Sequence, residues 1–228
     1  MGLLSSKDSN CDDSTEDFHY PSSKSALIIF TRNPELGKVK TRLAVTIGDE
    51  AALRVYKFLL QHTVDITKNL KTDKYVFYSE KKHTGDLWDE EIFRKKLQRG
   101  NDLGERMKNA FQELFEAGYE KLIIVGSDIF ELQQKDIEAA FEGLNDHDYT
   151  LGPAKDGGYY LLGMKQLNEK LFQNKNWGHD TVLKDTEKDL KDAVVFQLEE
   201  KNDIDYYSDI RDVDALQHLL PDHLDNTF

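Results

Sequence analysis

The chain has 228 residues, 39% of them apolar and 11% aromatic, and a formal net charge of −13. This is enough apolar material for one full core of ordinary domain size, and so acidic a surface repels nucleic acid, which excludes DNA and RNA as expected partners. The single cysteine, Cys11, excludes an intramolecular disulfide and a cysteine-rich metal centre, and no run reaches the roughly eighteen apolar residues of a membrane span.

Residues 1–24 are rich in Ser and Asp, with Asp8, Asp12, Asp13, Glu16 and Asp17 against Lys7 and Lys24, and are expected to form a disordered acidic tail ahead of one domain over 25–228. Met1 to Ser6 lacks the basic and long apolar regions of a signal peptide, so a cytoplasmic protein is expected; the same residues fit the loose N-myristoylation pattern, which alone anchors weakly. Ala26 to Thr31 reads as a buried strand. Glu50 to Leu70 reads as an amphipathic helix with Ala51, Leu53, Val55, Phe58, Leu59, Val64 and Ile66 on its apolar face. Tyr75 to Ser79 is a second strand. Asn101 and Asp102 cap a helix through Leu103, Met107, Ala110, Phe111, Leu114 and Phe115, closed by Gly118.

Leu122 to Val125 is a third strand, followed by a helix from Gln133 to Leu144. Tyr149 to Leu151 and Tyr159 to Gly163 are extended segments on either side of a glycine turn. Asp180 to Asp192 reads as a charged, solvated helix, Val194 to Leu198 as a last strand and Val213 to Leu220 as a closing helix. Strands alternating with helices predict an α/β fold, a mostly parallel sheet with helices on both faces, whose ligands bind beyond the carboxyl ends of the strands.

Four stretches carry candidate chemistry. After the first strand, Arg32, Lys38, Lys40 and Arg42 surround Gly37 with only Glu35 as counter-charge, a strand-to-helix connection suited to a polyanion. The third strand ends in Gly126-Ser127-Asp128, which places a carboxylate where it can hold a hard cation beside phosphates or cap the next helix. Asp156-Gly157-Gly158 is a tight turn that either meets a ligand closely or simply closes a hairpin. Asp102, Gly104 and Arg106 open a helix that could meet a base, ribose or phosphate. No pair of the seven histidines has zinc-site spacing, and neither a Gly-x-Ser-x-Gly elbow nor a Walker A loop is present.

Together, Phe30-Thr-Arg32-Asn-Pro34, Gly37-Lys38-Val-Lys40-Thr41-Arg42-Leu43, Asp102-Leu103-Gly104-Glu105-Arg106-Met107, Gly126-Ser127-Asp128 and Gly152-Pro153-Ala154 with Asp156-Gly157-Gly158-Tyr159-Tyr160 resemble the DUF2064 family of glycosyltransferase-like proteins. Trp177 and Thr181 resemble a further family position, and the likeness spans about residues 25 to 216. The resemblance implies a GT-A type, Rossmann-like fold of the nucleotide-diphospho-sugar transferase superfamily. It also implies a nucleotide or nucleotide-sugar substrate, an acceptor of unknown identity, and Mg²⁺ or Mn²⁺ held by Asp128 with Asp209. Asp156 would orient the acceptor or serve as its base, with Arg32, Gly37, Lys38, Lys40, Arg42, Gly104, Arg106, Gly157 and Gly158 binding substrate. The superfamily also holds nucleotidyltransferases that release pyrophosphate, and Phe130 and Arg211 depart from the family pattern, so a binding module without turnover is the third alternative.

Overall fold

Along β1 (Ser25–Thr31) the side chains alternate between two cores: Leu27 and Ile29 enter one face of the sheet, Ala26 and Ile28 the other, and all four are fully buried. These contacts come from a computed structural model that describes residues 21–221. The expected acidic tail as far as Tyr20, with Cys11 and the myristoylation pattern, lies outside the described residues. Residues 21–24 are described, and the Ser22 amide donates to Asp73 Oδ2 at 2.9 Å.

The chain continues through α1 (Thr41–Ile47), α2 (Asp49–Thr67), β2 (Asp73–Tyr78), β3 (Phe93–Leu97), α3 (Leu103–Glu116), β4 (Lys121–Val125) and α4 (Gln134–Asp146). It then forms β5 (Tyr149–Pro153), β6 (Tyr159–Met164), α5 (Val182–Asp189), β7 (Val195–Gln197) and α6 (Asp214–Gln217). One seven-stranded sheet results, in the order β3-β2-β1-β4-β6-β5-β7. Only β6 runs antiparallel to its neighbours. The reason is local: β5 and β6 are joined by the short turn at Asp156, too short for the crossover that a parallel pair needs.

Tyr56, Leu60 and Val64 of α2 and Ile137, Ala140 and Leu144 of α4 cover one face, while Met107, Ala110, Phe111 and Leu114 of α3 cover the other. This is the mostly parallel, helix-covered sheet expected from the sequence. A third cluster packs Leu43, Ile47, Val55 and Leu59 of α1 and α2 against Ile204, Ile210 and Leu216 near the C-terminus. That cluster carries the C-terminal segment back to the carboxyl end of β1. No described helix is long and apolar enough to cross a membrane.

Several elements differ from expectation. The basic stretch runs directly into α1, and Gly48, at φ 81°, turns the chain from α1 into α2. Strand β3, Phe-Arg-Lys-Lys-Leu, was not expected because three cations in a row erase the period-two pattern. At a sheet edge such charges blunt pairing with other chains. The solvated helix is the shorter α5, which buries Val182 and Thr186, and the closing helix shrinks to one turn.

Candidate functional site

The loop after β1 is shaped from beneath by two buried polar side chains. The Tyr56 hydroxyl accepts from the Arg32 amide at 2.9 Å, and it lies 3.1 Å from both the Arg32 carbonyl oxygen and Thr31 Oγ1. The Asn33 side chain, almost fully buried, takes the Glu80 amide at 2.9 Å and gives a hydrogen bond to the Lys81 carbonyl at 2.8 Å, tying this loop to the one after β2. Gly37 adopts φ 72°, which a side chain would resist, and Lys38, next in the chain, donates its amide to Glu35 at 3.1 Å to close the turn.

The four cations do not act alike. Lys38 is exposed and pairs with Glu35 at 2.8 Å and Glu80 at 3.6 Å. Arg32 is exposed, with no side-chain ion pair among the described residues. Lys40 is the opposite case: 6% of its side chain is exposed, and its Nζ lies 2.9 Å from Asp128 Oδ2 and 3.1 Å from Asp205 Oδ1. Burial alone would lower the pKa of this ammonium, but Asp128 and Asp205 outweigh it and hold the pKa above the ordinary lysine value. Arg42 reaches Asp205 Oδ2 at 3.0 Å and stands over the Tyr206 ring at 5.7 Å.

Asp128 therefore sits at the carboxyl end of β4 facing the cationic loop. Its backbone carbonyl accepts from the Ile204 amide at 3.3 Å, and this joins it to Asp203-Ile204-Asp205. Ile204 is buried in the third core, so the acids on either side of it are held at the site. The Asp203 carboxyl is pushed up to about 6 by burial and then by the charges of Asp156, Asp128 and Asp205. Four carboxylates thus share one field, and Lys40 pairs with two of them, Asp128 and Asp205.

Asp209, expected as a metal ligand, is placed differently. Its Oδ2 accepts the amides of Asp205 at 3.0 Å and Tyr206 at 2.6 Å, capping a short 3-10 turn. The acidic pair facing the site is Asp203 and Asp205. The sequence carries these two acids on either side of an apolar residue after β7, whereas the family resemblance points to Asp209 further along.

The glycine-containing stretches pack closely against other segments of the chain. A Cβ on Gly104 would lie 2.4 Å from Trp177 Nε1, and one on Gly157, at φ 86°, would lie 2.3 Å from the Asp180 carbonyl oxygen. These two glycines make room for the 177–180 segment, and that segment walls the site between the start of α3 and the β5–β6 turn. Gly158 donates its amide to Asp156 Oδ1 at 2.8 Å, which fixes that carboxylate on the hairpin turn. Arg106 Nε donates to the Gly100 carbonyl at 3.0 Å, bracing the turn before α3, and Asp102 caps α3 by accepting the Glu105 amide at 2.8 Å. Phe130 packs against His62 and Phe58 with ring centroids 5.1 and 5.8 Å away, and Arg211 pairs with its neighbour Asp212 at 3.1 Å. Neither departure enters the carboxylate cluster.

Comparison with known proteins follows this geometry. The family described as "Uncharacterized protein conserved in bacteria (DUF2064)" matches residues 63–179. Among solved structures, the chain is similar to a candidate nucleotide-diphospho-sugar transferase from Desulfovibrio desulfuricans G20, 33% identical over 81% of this chain and 83% of the other, with a TM-score of 0.73. It shares its fold with 4-diphosphocytidyl-2C-methyl-D-erythritol synthase from Anaerococcus prevotii, 11% identical over 82% and 92% of the two chains, TM-score 0.53. A candidate glucose-1-phosphate thymidylyltransferase from Bacillus anthracis has the same fold, 13% identical over 84% and 94%, TM-score 0.54. No curated protein matches the chain significantly.

Proposed function

Since the chain belongs to the DUF2064 family, we propose that it is a cytoplasmic glycosyltransferase-like enzyme that binds a nucleotide-activated sugar by its diphosphate and passes the glycosyl group to an acceptor hydroxyl. One observation carries this reading. Lys40, buried and charged, meets Asp128 and Asp205 at the carboxyl end of the central strands, with Arg42 beside it and Arg32 on the same loop. A diphosphate is the ligand that such an arrangement of fixed cations over carboxylates would serve.

A divalent ion, Mg²⁺ or Mn²⁺, would have Asp128 and Asp205 as its protein ligands. Among the described residues, no three His, Cys, Asp or Glu side chains form a metal cage. Asp128 and Asp205 nevertheless converge on one cation position as hard oxygen donors, the set that such an ion uses when substrate phosphates and water complete its shell. When bound, the ion would supply charge neutralisation at the phosphates. In transfer, Asp156 accepts the acceptor hydroxyl's proton as its oxygen bonds to the anomeric carbon, and the bond from that carbon to the diphosphate breaks. Arg32, Lys40 and Arg42 stabilise the departing nucleoside diphosphate.

The test is product analysis with a panel of nucleoside diphosphate sugars and candidate acceptor sugars. Nucleoside diphosphate released by wild type and abolished by Asp128→Ala supports the proposal. Pyrophosphate released instead, from a nucleoside triphosphate and a sugar phosphate, replaces it with nucleotidyl transfer.

A further inference from the structure

The Lys40 ammonium occupies the point where the two carboxylates meet. Its side chain is almost fully buried, so water screens these contacts little. The backbone at Lys40 is left-handed, φ 47°, one of only two such non-glycine residues among those described. A conformation disfavoured for an L side chain persists where the surroundings over-determine it, and here two ion pairs do so. The neighbouring cations are no substitute: Arg42 reaches Asp205 alone and Lys38 is engaged by Glu35 and Glu80.

We propose that Lys40 is a specificity-determining residue that makes the site take a divalent ion already carried on a phosphate and reject the free ion. The inference rests on the reading of the site as a diphosphate site. A free ion competing for Asp128 and Asp205 must push Lys40 aside and leave a buried ammonium without a partner. An ion arriving with a phosphate brings the replacement partner with it, because the phosphate oxygens take over Lys40 as the carboxylates are released. Metal and phosphate therefore bind with positive coupling through one side chain. A lysine that only attracts phosphate predicts no gain in free-ion binding on its removal.

Calorimetric titration of MnCl₂ alone, and of Mn²⁺ with inorganic pyrophosphate, into wild type, Lys40→Met and Lys40→Arg separates these cases without any turnover assay. Lys40→Met should bind free Mn²⁺ about tenfold tighter or better, and Mn²⁺-pyrophosphate more weakly, within the 5–150-fold range roughly typical of coupled sites. Lys40→Arg, which keeps the charge, should keep the weak free-ion binding. If Lys40→Met is too unstable to titrate, its thermal melt gives the answer: Mn²⁺ alone must raise its melting temperature more than that of wild type. A Lys40→Met protein that binds or is stabilised by free Mn²⁺ no better than wild type, when wild type does bind Mn²⁺-pyrophosphate, overturns the inference and leaves the site reading standing. Wild type that binds neither probe overturns the site reading and this inference with it.

Discussion

Replacing Tyr56 by Phe removes one oxygen atom from beneath the site and leaves the ring, which is 3% exposed, in place. That oxygen receives the Arg32 amide and lies within hydrogen-bond distance of the Arg32 carbonyl and the Thr31 hydroxyl; Ser127 Oγ, one residue before Asp128, is 3.5 Å away. Burial raises the phenol's pKa above its ordinary value, so the group remains a donor through the neutral range. With one proton it donates to a single acceptor while receiving the Arg32 amide, so the substitution deletes about two hydrogen bonds and orphans a half-buried N–H. Each bond contributes about 1 kcal/mol net and the orphan costs more, so we expect a loss of about 2 kcal/mol, or about 4–8 °C in melting temperature for a domain of this size. Urea unfolding should show a lower midpoint at unchanged slope. Because the lost tie joins the loop bearing Arg32 to the strand end bearing Asp128, pyrophosphate affinity should fall about tenfold as well. A stability change below about 0.5 kcal/mol with unaltered affinity refutes the assignment of this hydroxyl as the joint between the two halves of the site.

Three further outcomes are expected. Asp203→Asn removes a carboxylate that burial and the charges of Asp156, Asp128 and Asp205 disfavour, and should stabilise the metal-free protein by about 1 kcal/mol at neutral pH, checked by urea unfolding. Gly104→Ala lies in a helix, where the exchange ordinarily stabilises by about 1 kcal/mol, but its Cβ collides with Trp177; the expected sign is therefore reversed, with a red shift in tryptophan emission over the constant background of buried Trp88. Asp73 is buried, which raises its pKa, but hydrogen bonds from Ser22 and Tyr119 and the Arg94 guanidinium 3.4 Å away outweigh this and depress it below the ordinary carboxylate value. A depressed acid stabilises above its unfolded pKa of about 3.9 and loses that contribution as pH falls through the folded value, so Asp73→Asn should cost about 2 kcal/mol at pH 7 and flatten the acid limb of the stability curve below about pH 4.

The strands that were legible are those buried on both faces. Leu122 to Val125 and Ala26 to Thr31 read as unbroken apolar runs because helices cover both sides, and the same runs located the loops that hold Arg32, Lys40 and Asp128. Strand β3 escaped because its pairing with β2 depends on backbone hydrogen bonds at an edge, where side chains need not be apolar. The basic stretch was legible as a cluster of charge but not as a division of labour. Lys38 and Lys40 are two residues apart, yet one pairs with local carboxylates at the surface and the other is buried between Asp128 and Asp205. No pattern within the loop distinguishes them, because the partners that decide the matter are supplied by β4 and by the chain after β7.

The acidic half of the site shows the same dependence on distant packing. Asp203, Asp205 and Asp209 are near one another in sequence and are the same residue type. What assigns them is Ile204 in the third core, which holds the two flanking acids at the site with Asp205 on Lys40, and the short turn at Tyr207–Asp209, where the amides of Asp205 and Tyr206 claim the Asp209 carboxylate. Likewise Gly104 and Gly157, which in sequence resemble points of close approach to a ligand, are small because Trp177 and Asp180 lie against them. Sequence spacing shows which residues can serve a chemistry. Which of them does so here is decided where separate elements meet, and the buried ammonium of Lys40, held by two carboxylates from two such elements, is the contact on which the functional reading turns.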